Sequence, residues 1–398
     1  MELAAYICLL VSAFTIAFSL PAGRVFLTAS LLLLVRHLWN ERKFPRIPAS
    51  AWIGFTFCVV AAIATARGVN PQLGFGKLHK LLWWVAIPVA AILVLSQSRL
   101  TAMISAFAVG TGALALEMFV RNPIQALACV RRGDEGGFMA GLMHIASMTD
   151  AQRLMMGIVA TIGLIWVQRG KVRHNRLWFV LLAVQCVALT MTFKRGSWVC
   201  AIIAVVLFAL LTANWKYVFA LTLILSLAAG LAPVRSRVAS LKNEFKDDNG
   251  GRMTMWFKIA PALIKEYPWG VGFGSVTPEM MRKIAPKVEP NRNHLHSNIF
   301  EVLVETGWLG LAVYILWMLW AFCDATIFAW AARRAPPEEM VGAFVVLLML
   351  IGLLANGLVE YNFAEAQLVI PCGYLIGMAA AGRRFSGMRN VQSAHLNP

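Results

Sequence analysis

The sequence is divided into long apolar blocks that are separated by short polar segments. Each block has roughly the 20 residues that an α-helix needs to cross the hydrocarbon core of a bilayer. The strands of a membrane β-barrel would instead show alternating hydrophobicity, and the blocks do not alternate. Only 14% of the residues are charged, whereas about 25% are charged in ordinary soluble proteins. The sequence therefore predicts an all-α polytopic membrane protein.

We predict about twelve transmembrane helices and one large outer-facing loop that contains an amphipathic helix. The predicted spans are residues 3–20, 22–38, 51–66, 81–96, 101–119, 154–168, 177–193, 196–212, 216–232, 299–322, 340–357 and 365–382. They divide the chain into helices 1 to 9 (1–232), a catalytic loop (233–298), and helices 10 to 12 with a short tail (299–398). No basic segment precedes the first block and Pro21 indicates a helix break, so we expect no cleaved signal peptide.

The distribution of basic residues indicates the orientation and a type of partner. The formal net charge is +17. With a cytoplasmic N-terminus, Lys and Arg are slightly more frequent in the cytoplasmic loops, as is typical of membrane proteins. The long loop nevertheless carries eleven basic and six acidic residues, although it would face outwards. This excess favours a polyanionic partner, with contact to anionic lipid headgroups as the alternative.

The long loop contains one segment with helical periodicity, from Met253 to Glu266. Met255, Ile259 and Leu263 share one side, which predicts an amphipathic helix lying on the membrane surface. Pro268 ends this helix. Beyond it, we expect a flexible hinge at three closely spaced glycines, Gly270, Gly272 and Gly274.

A segment with two histidines leads from the loop into the next predicted span. Asn298 and Glu301 have the spacing of a capping box, so His296 should lie at the start of a long helix. The positive end of the helix dipole favours a neutral imidazole there, and a neutral imidazole can accept a proton from a sugar hydroxyl. Glu305 and Glu301 are interpreted as structural carboxylates, or as groups that support His296.

Two alternatives remain for this segment. His294 and His296 could be half of a metal site, although the sequence supplies no cysteine pair or acidic cluster to complete it. Either histidine could instead be a plain residue of the membrane interface, and this is the favoured interpretation of His294. We therefore expect no metal and no other cofactor.

The segment resembles the signature of bacterial O-antigen ligases. The family signature is a histidine followed by Asn, Ser or Gln, then nine residues of any type, then Gly-x-x-Gly. His296, Ser297, Gly307 and Gly310 match this signature at the required spacing. The signature is at the end of a large late loop, as in that family. The two glycines also allow close approach of another backbone. Arg195 with Gly196 resembles the Arg-Gly segment of the family, and the stretch that begins at Arg252 resembles the start of its loop helix.

The resemblance implies transfer of a glycan from undecaprenyl pyrophosphate to a sugar hydroxyl of lipid A–core, in the bacterial inner membrane with the active site facing the periplasm. It implies that His296 is the general base and that Arg195 and Arg252 hold the pyrophosphate through bidentate contacts. Arg67, Lys80 and His294 are weaker candidates for binding the pyrophosphate or the acceptor. The alternative for Arg67, Lys80 and Arg195 is contact with lipid headgroups.

Three other functions remain open. An O-antigen polymerase would share the large loop and the lipid-linked donor, and a protein O-oligosaccharyltransferase would share the signature. A transporter of lipid-linked glycans would place its charges near the bilayer midplane, whereas the predicted spans are nearly free of charge. The expected partners are the lipid-linked donor, the lipid A–core acceptor and membrane lipids, with no nucleic acid. The sequence does not indicate an oligomeric state.

Overall fold

The computed structural model describes residues 1–42, 44–131, 147–168, 172–215, 250–363 and 365–396, together with Phe219, Arg235 and Ala239. These residues form helices and connecting turns, and none of them belongs to a β-strand. The predicted all-α class is therefore confirmed. Backbone groups that enter a bilayer must find their hydrogen bonds within the chain, and helices satisfy this requirement locally.

The helices are numbered in chain order. They are α1 (Glu2–Thr15), α2 (Leu20–Glu41), α3 (Ala49–Ala66), α4 (Pro71–Leu78), α5 (Ala86–Leu93), α6 (Gln97–Arg131), α7 (Met148–Val167), α8 (Val172–Met191), α9 (Arg195–Thr212), α10 (residues 252–266, with a π-helical stretch at Met255–Ile259), α11 (Pro278–Ile284), α12 (Asn298–Ala332), α13 (Pro337–Val359) and α14 (Ala366–Leu396). A 3₁₀ segment, His79–Val85, joins α4 to α5.

Eight helical segments of the described chain are long and apolar enough to cross a membrane, rather than the predicted twelve. They are Leu20–Glu41, Ala49–Ala66, Pro71–Leu93, Gln97–Ala128, Met148–Val167, Arg195–Thr212, Asn298–Ala332 and Pro337–Val359. The first predicted span is shorter than expected, because α1 has 14 residues and extends only about 21 Å at 1.5 Å per residue. The predicted span at 216–232 lies almost entirely outside the described residues.

The helices form one bundle around α7 and α12. Helix α7 packs against α6, α8, α9 and α13, while α12 packs against α3, α13 and α14. Polar side chains inside the bundle are paired: the amide of Gln185 donates to Thr111 (2.9 Å) and accepts from Thr161 (2.9 Å). Such pairs are needed because an unsatisfied polar group in hydrocarbon is costly.

The loop before α12 has a small core of its own. Helix α10 is present as predicted, and its apolar residues Met255, Ile259 and Leu263 are buried. They pack against Met281 of α11 and Leu295. The expectation that this face lies on the membrane surface is therefore wrong, because other parts of the same loop cover it.

The glycines that follow α10 are packed against the beginning of α12. The N–H of Val271 donates to Val304 (2.9 Å), and the N–H of Gly272 donates to Glu305 (3.0 Å). Gly307 has φ +69° and interrupts α12, and a side chain there would clash with the backbone of Pro268 and Trp269. The predicted close approach at Gly307 is confirmed. The expected hinge is instead a hydrogen-bonded contact between the loop and α12.

Candidate active site

His296 lies just before α12 in an unusual backbone conformation. Its φ is +52°, a left-handed value that is uncommon for residues other than glycine. The carboxylate of Glu301 accepts a hydrogen bond from the N–H of Leu295 (2.6 Å), and the N–H of His296 donates to Nδ1 of His294 (3.3 Å). These contacts hold the chain in the tight turn that points the His296 side chain into the protein.

The predicted capping box is not formed. Ser297 is the residue that precedes the helix, Asn298 is already helical, and Glu301 reaches back to Leu295. The amide of Asn298 instead donates to Asn362 (2.6 Å) and accepts from the backbone N–H of the same residue (2.9 Å). Asn298 is thus used to join the beginning of α12 to the segment that follows α13.

This amide pair brings Glu360 to His296. Glu360 directly follows α13, and its Oε2 lies 2.9 Å from Nδ1 of His296. Both side chains are largely buried. A carboxylate only accepts hydrogen bonds, so Nδ1 of His296 carries the proton and Nε2 keeps its lone pair. The imidazole therefore has the tautomer that a general base requires at Nε2.

Two arginines complete the cluster, one on each side of the His296–Glu360 pair. The guanidinium of Arg292 contacts Nε2 of His296 and also pairs with the exposed Glu289. The guanidinium of Arg252, at the start of α10, pairs with Glu360 and donates from Nε to the carbonyl of Val359 (3.1 Å). Arg292, His296, Glu360 and Arg252 thus form a continuous chain of hydrogen bonds.

Burial sets the charges of these groups. It lowers the pKa of His296, and the positive charges of Arg292 and Arg252 lower it further, while the hydrogen bond to Glu360 acts in the opposite direction. Burial, followed by the effect of His296, lowers the pKa of His294 to about 3. Burial alone would raise the pKa of Glu360, but its hydrogen bond with His296 and the charge of Arg252 lower it. At neutral pH the imidazoles are therefore neutral and Glu360 is charged.

The structure brings three of the predicted residues into this region besides His296. Arg252 is part of the cluster, and the ring of His294 lies 4.1 Å from that of His296. Arg195 begins α9, where Gly196 packs against Val359. The beginning of α9 and the Arg252 side chain therefore both lie at the end of α13.

Arg67 and Lys80 are not members of this cluster. The guanidinium of Arg67 stacks on the exposed ring of Trp269, 4.8 Å from its centroid. Nζ of Lys80 is 3.8 Å from the carboxylate of Glu365. Both side chains therefore have protein partners, and neither is hydrogen-bonded to the His296 cluster in the described part of the chain.

Sequence reasoning missed Glu360, Arg292 and Asn362. The carboxylate that supports His296 was sought at Glu301 and Glu305, which lie close in sequence, but it comes from a position 64 residues away. A possible signal was a lone acidic residue directly after a strongly apolar block, because ionisable groups at a membrane helix are costly and are usually functional.

The cluster does not have the composition of a metal site. Within the described ranges, no group of three or more His, Cys, Asp or Glu side chains is arranged to hold a metal ion. His294 and His296 contact each other directly, and His296 uses Nδ1 for Glu360 and Nε2 for Arg292. The arrangement is instead that of a histidine held and polarised by a carboxylate.

Comparison with known proteins assigns a family to the region that carries most of this cluster. A search of curated proteins found no match. Residues 178–315 match the family described as O-antigen ligase, and this segment includes Arg195, Arg252 and both histidines, while Glu360 lies beyond it. Residues 178–315 are therefore similar to the O-antigen ligase family.

Proposed function

We propose that the chain is a glycosyltransferase of the inner membrane that ligates O-antigen polysaccharide to lipid A–core, with its active site facing the periplasm. The donor is the polysaccharide on undecaprenyl pyrophosphate, and the acceptor is a sugar hydroxyl of lipid A–core. The observation that carries this proposal is the buried His296–Glu360 pair, because it supplies an oriented base within a region that belongs mostly to the matched family domain.

In the proposed reaction, Nε2 of His296 takes the proton of the acceptor hydroxyl. The oxygen then forms a bond to the anomeric carbon of the donor, and the bond between that carbon and the pyrophosphate oxygen breaks. The protonated imidazole is stabilised by Glu360 through Nδ1, as a carboxylate stabilises histidine in a catalytic triad. The acceptor hydroxyl replaces Arg292 as the partner of Nε2.

The leaving undecaprenyl pyrophosphate carries negative charge that the protein must stabilise. Arg252 contacts the end of α13, and Arg195 begins α9, whose Gly196 packs against the same helix end. A guanidinium binds phosphate oxygens through two parallel hydrogen bonds. We propose that these arginines replace a divalent cation, so that the reaction is independent of metal. Arg252 has a second task, because it also pairs with Glu360.

An apolar groove supports a lipid-linked donor. It lies between α12 and α13, with a volume of about 200 Å³, and Ile315, Leu319 and Leu358 line it. One end reaches Asn298, two residues from His296, and Gly357, three residues from Glu360. A polyprenyl chain in this groove would place the attached pyrophosphate close to the catalytic pair.

A strain that lacks this chain tests the function. We expect it to lose polysaccharide attached to lipid A–core and to accumulate polysaccharide on the lipid carrier, as seen by gel analysis of both lipid fractions. A polymerase would give a different result, because its loss leaves single repeat units on lipid A–core. That second pattern would overturn the proposal.

Conservative replacement of the arginines tests the pyrophosphate contact. Arg195→Lys and Arg252→Lys keep the charge but lose the planar fork, so each variant should restore little ligation. Lys265→Gln, on the exposed side of α10, serves as a control that stays active. Near-normal ligation by both lysine variants would reduce these arginines to headgroup contacts.

Ligation by the wild-type chain should also persist in EDTA.

A further inference from the structure

A polar cavity lies next to the catalytic cluster, on the far side of His294. Its volume is about 90 Å³, and its wall includes Lys77, Lys80, His294, Glu301, Glu305 and Tyr361. Since about 10–15 Å³ suffices for one water molecule, the cavity has room for a small polar ligand, on the scale of a single sugar ring. The reaction steps described above do not use it.

His294 connects this cavity to the base. Its ring lies 4.1 Å from the ring of His296 on one side and 6.1 Å from the ring of Tyr361 on the other. Asn293, which also lines the cavity, directly follows Arg292, the residue at Nε2 of His296. His294 therefore lies between the cavity and His296 and is in contact with both.

The wall is held rigidly by hydrogen bonds among its own groups. Glu305 accepts from the N–H of Gly274 (2.6 Å) and from the hydroxyl of Tyr361 (3.1 Å), and Nζ of Lys77 donates to the carbonyl of Gly274. Glu301 lies one helical turn before Glu305 and is equally buried. Each carboxyl group has capacity to accept further hydrogen bonds.

The composition of the wall favours a neutral polyhydroxyl ligand over a phosphate. Besides Lys77 and Lys80, the wall offers the carboxyl groups of Glu301, Glu305 and Glu365 and the hydroxyl of Tyr361, whereas a phosphate site is built mainly from cationic and N–H donors. A sugar ring both donates and accepts hydrogen bonds, and it needs a wall that offers both kinds of partner.

We propose that this cavity binds the terminal sugar ring of the acceptor glycan. In this arrangement Glu301 and Glu305 accept from its hydroxyls, Lys80 donates to its oxygens, and one hydroxyl extends past His294 to Nε2 of His296. The assignment rests on the proposed glycosyl transfer and adds to it a position for the acceptor. It also gives Lys80 and His294 one task, in acceptor binding.

The test uses the purified full-length protein with a lipid-linked glycan donor and lipid A–core as acceptor. Two variants alter the cavity at accessible positions: Lys80→Gln removes a donor, and Asn293→Trp fills the entrance. Lys265→Gln, which lies away from the cavity, is the matched control. We expect both cavity variants to raise KM for the acceptor about tenfold or more. Lys80→Gln loses a hydrogen bond to a charged group, which contributes at least that much, and Asn293→Trp occupies space that the sugar ring needs. KM for the donor should stay unchanged.

The outcomes separate this proposal from the proposed function. An active wild-type chain whose two cavity variants keep the wild-type KM for the acceptor would overturn the acceptor site and leave the function standing. A rise in KM for the donor instead would assign the cavity to the donor phosphates and would also overturn it. If the wild-type chain itself transfers no glycan to lipid A–core under these conditions, the proposed function fails.

Discussion

Replacement of His296 by alanine should reduce kcat/KM for ligation by about 10²–10⁴-fold, which corresponds to roughly 3–5 kcal/mol of activation free energy. In the proposed reaction Nε2 of His296 accepts the hydroxyl proton once the hydroxyl has displaced Arg292, because Glu360 already accepts from Nδ1 and the arginines are donors. Without it, the acceptor oxygen must attack while it still carries its proton. The rate is measured with purified protein at saturating donor.

Because His296 is buried, the alanine variant needs a control that separates loss of the base from a structural effect. The residue is only 9% exposed, and alanine at this position removes one of the two partners of Glu360 and leaves Arg252 as the other. His296→Gln preserves a hydrogen bond to Glu360 and should be as inactive as alanine. Donor binding should survive in both variants. An active His296→Gln variant would exclude His296 as the base.

His294→Ala should be much milder, because Nδ1 of His294 contacts the backbone of His296 and no reacting atom. We expect its loss of activity to appear mainly in KM for the acceptor. Equal loss of kcat in His294→Ala and His296→Ala would contradict separate roles and favour a site that the two histidines share.

Replacement of Glu360 by glutamine should cost about as much as loss of the base. A glutamine amide can donate to Nδ1, which moves the imidazole proton to Nε2 and leaves the wrong tautomer for accepting a hydroxyl proton. In the Ser-His-Asp triad the equivalent change lowers kcat by about 10⁴-fold. We therefore expect a loss of about 10²–10⁴-fold in kcat, measured against the exposed control Glu266→Gln.

The pH profile distinguishes this electrostatic role from a structural one. Burial lowers the pKa of His296, so wild-type activity should persist below pH 6.5, the ordinary pKa of histidine, and fall only at lower pH. Glu360 raises this pKa through its hydrogen bond. In Glu360→Gln the pKa should fall further, so the acid limb should move to lower pH. An unchanged acid limb in a folded variant would contradict direct contact between Glu360 and His296 in the working enzyme.

The sequence by itself determined the all-α membrane class and singled out His296 as the candidate base. Both depend on local information, since a run of apolar residues specifies a membrane helix through its own length, and the signature that identifies His296 is contiguous. Hydropathy does not determine the number of spans, because helices such as α1 are apolar but short.

Only the tertiary structure decided which groups act on His296. Glu360 reaches it from 64 residues away because Asn298 and Asn362 join α12 to the end of α13, and no sequence spacing encodes that pairing. The prediction of a capping box was wrong for the same reason, because Asn298 forms a tertiary contact in place of a local one. The apolar face of α10 was predicted correctly. Whether lipid or protein covers such a face depends on the neighbouring parts of the fold, which here are α11 and Leu295.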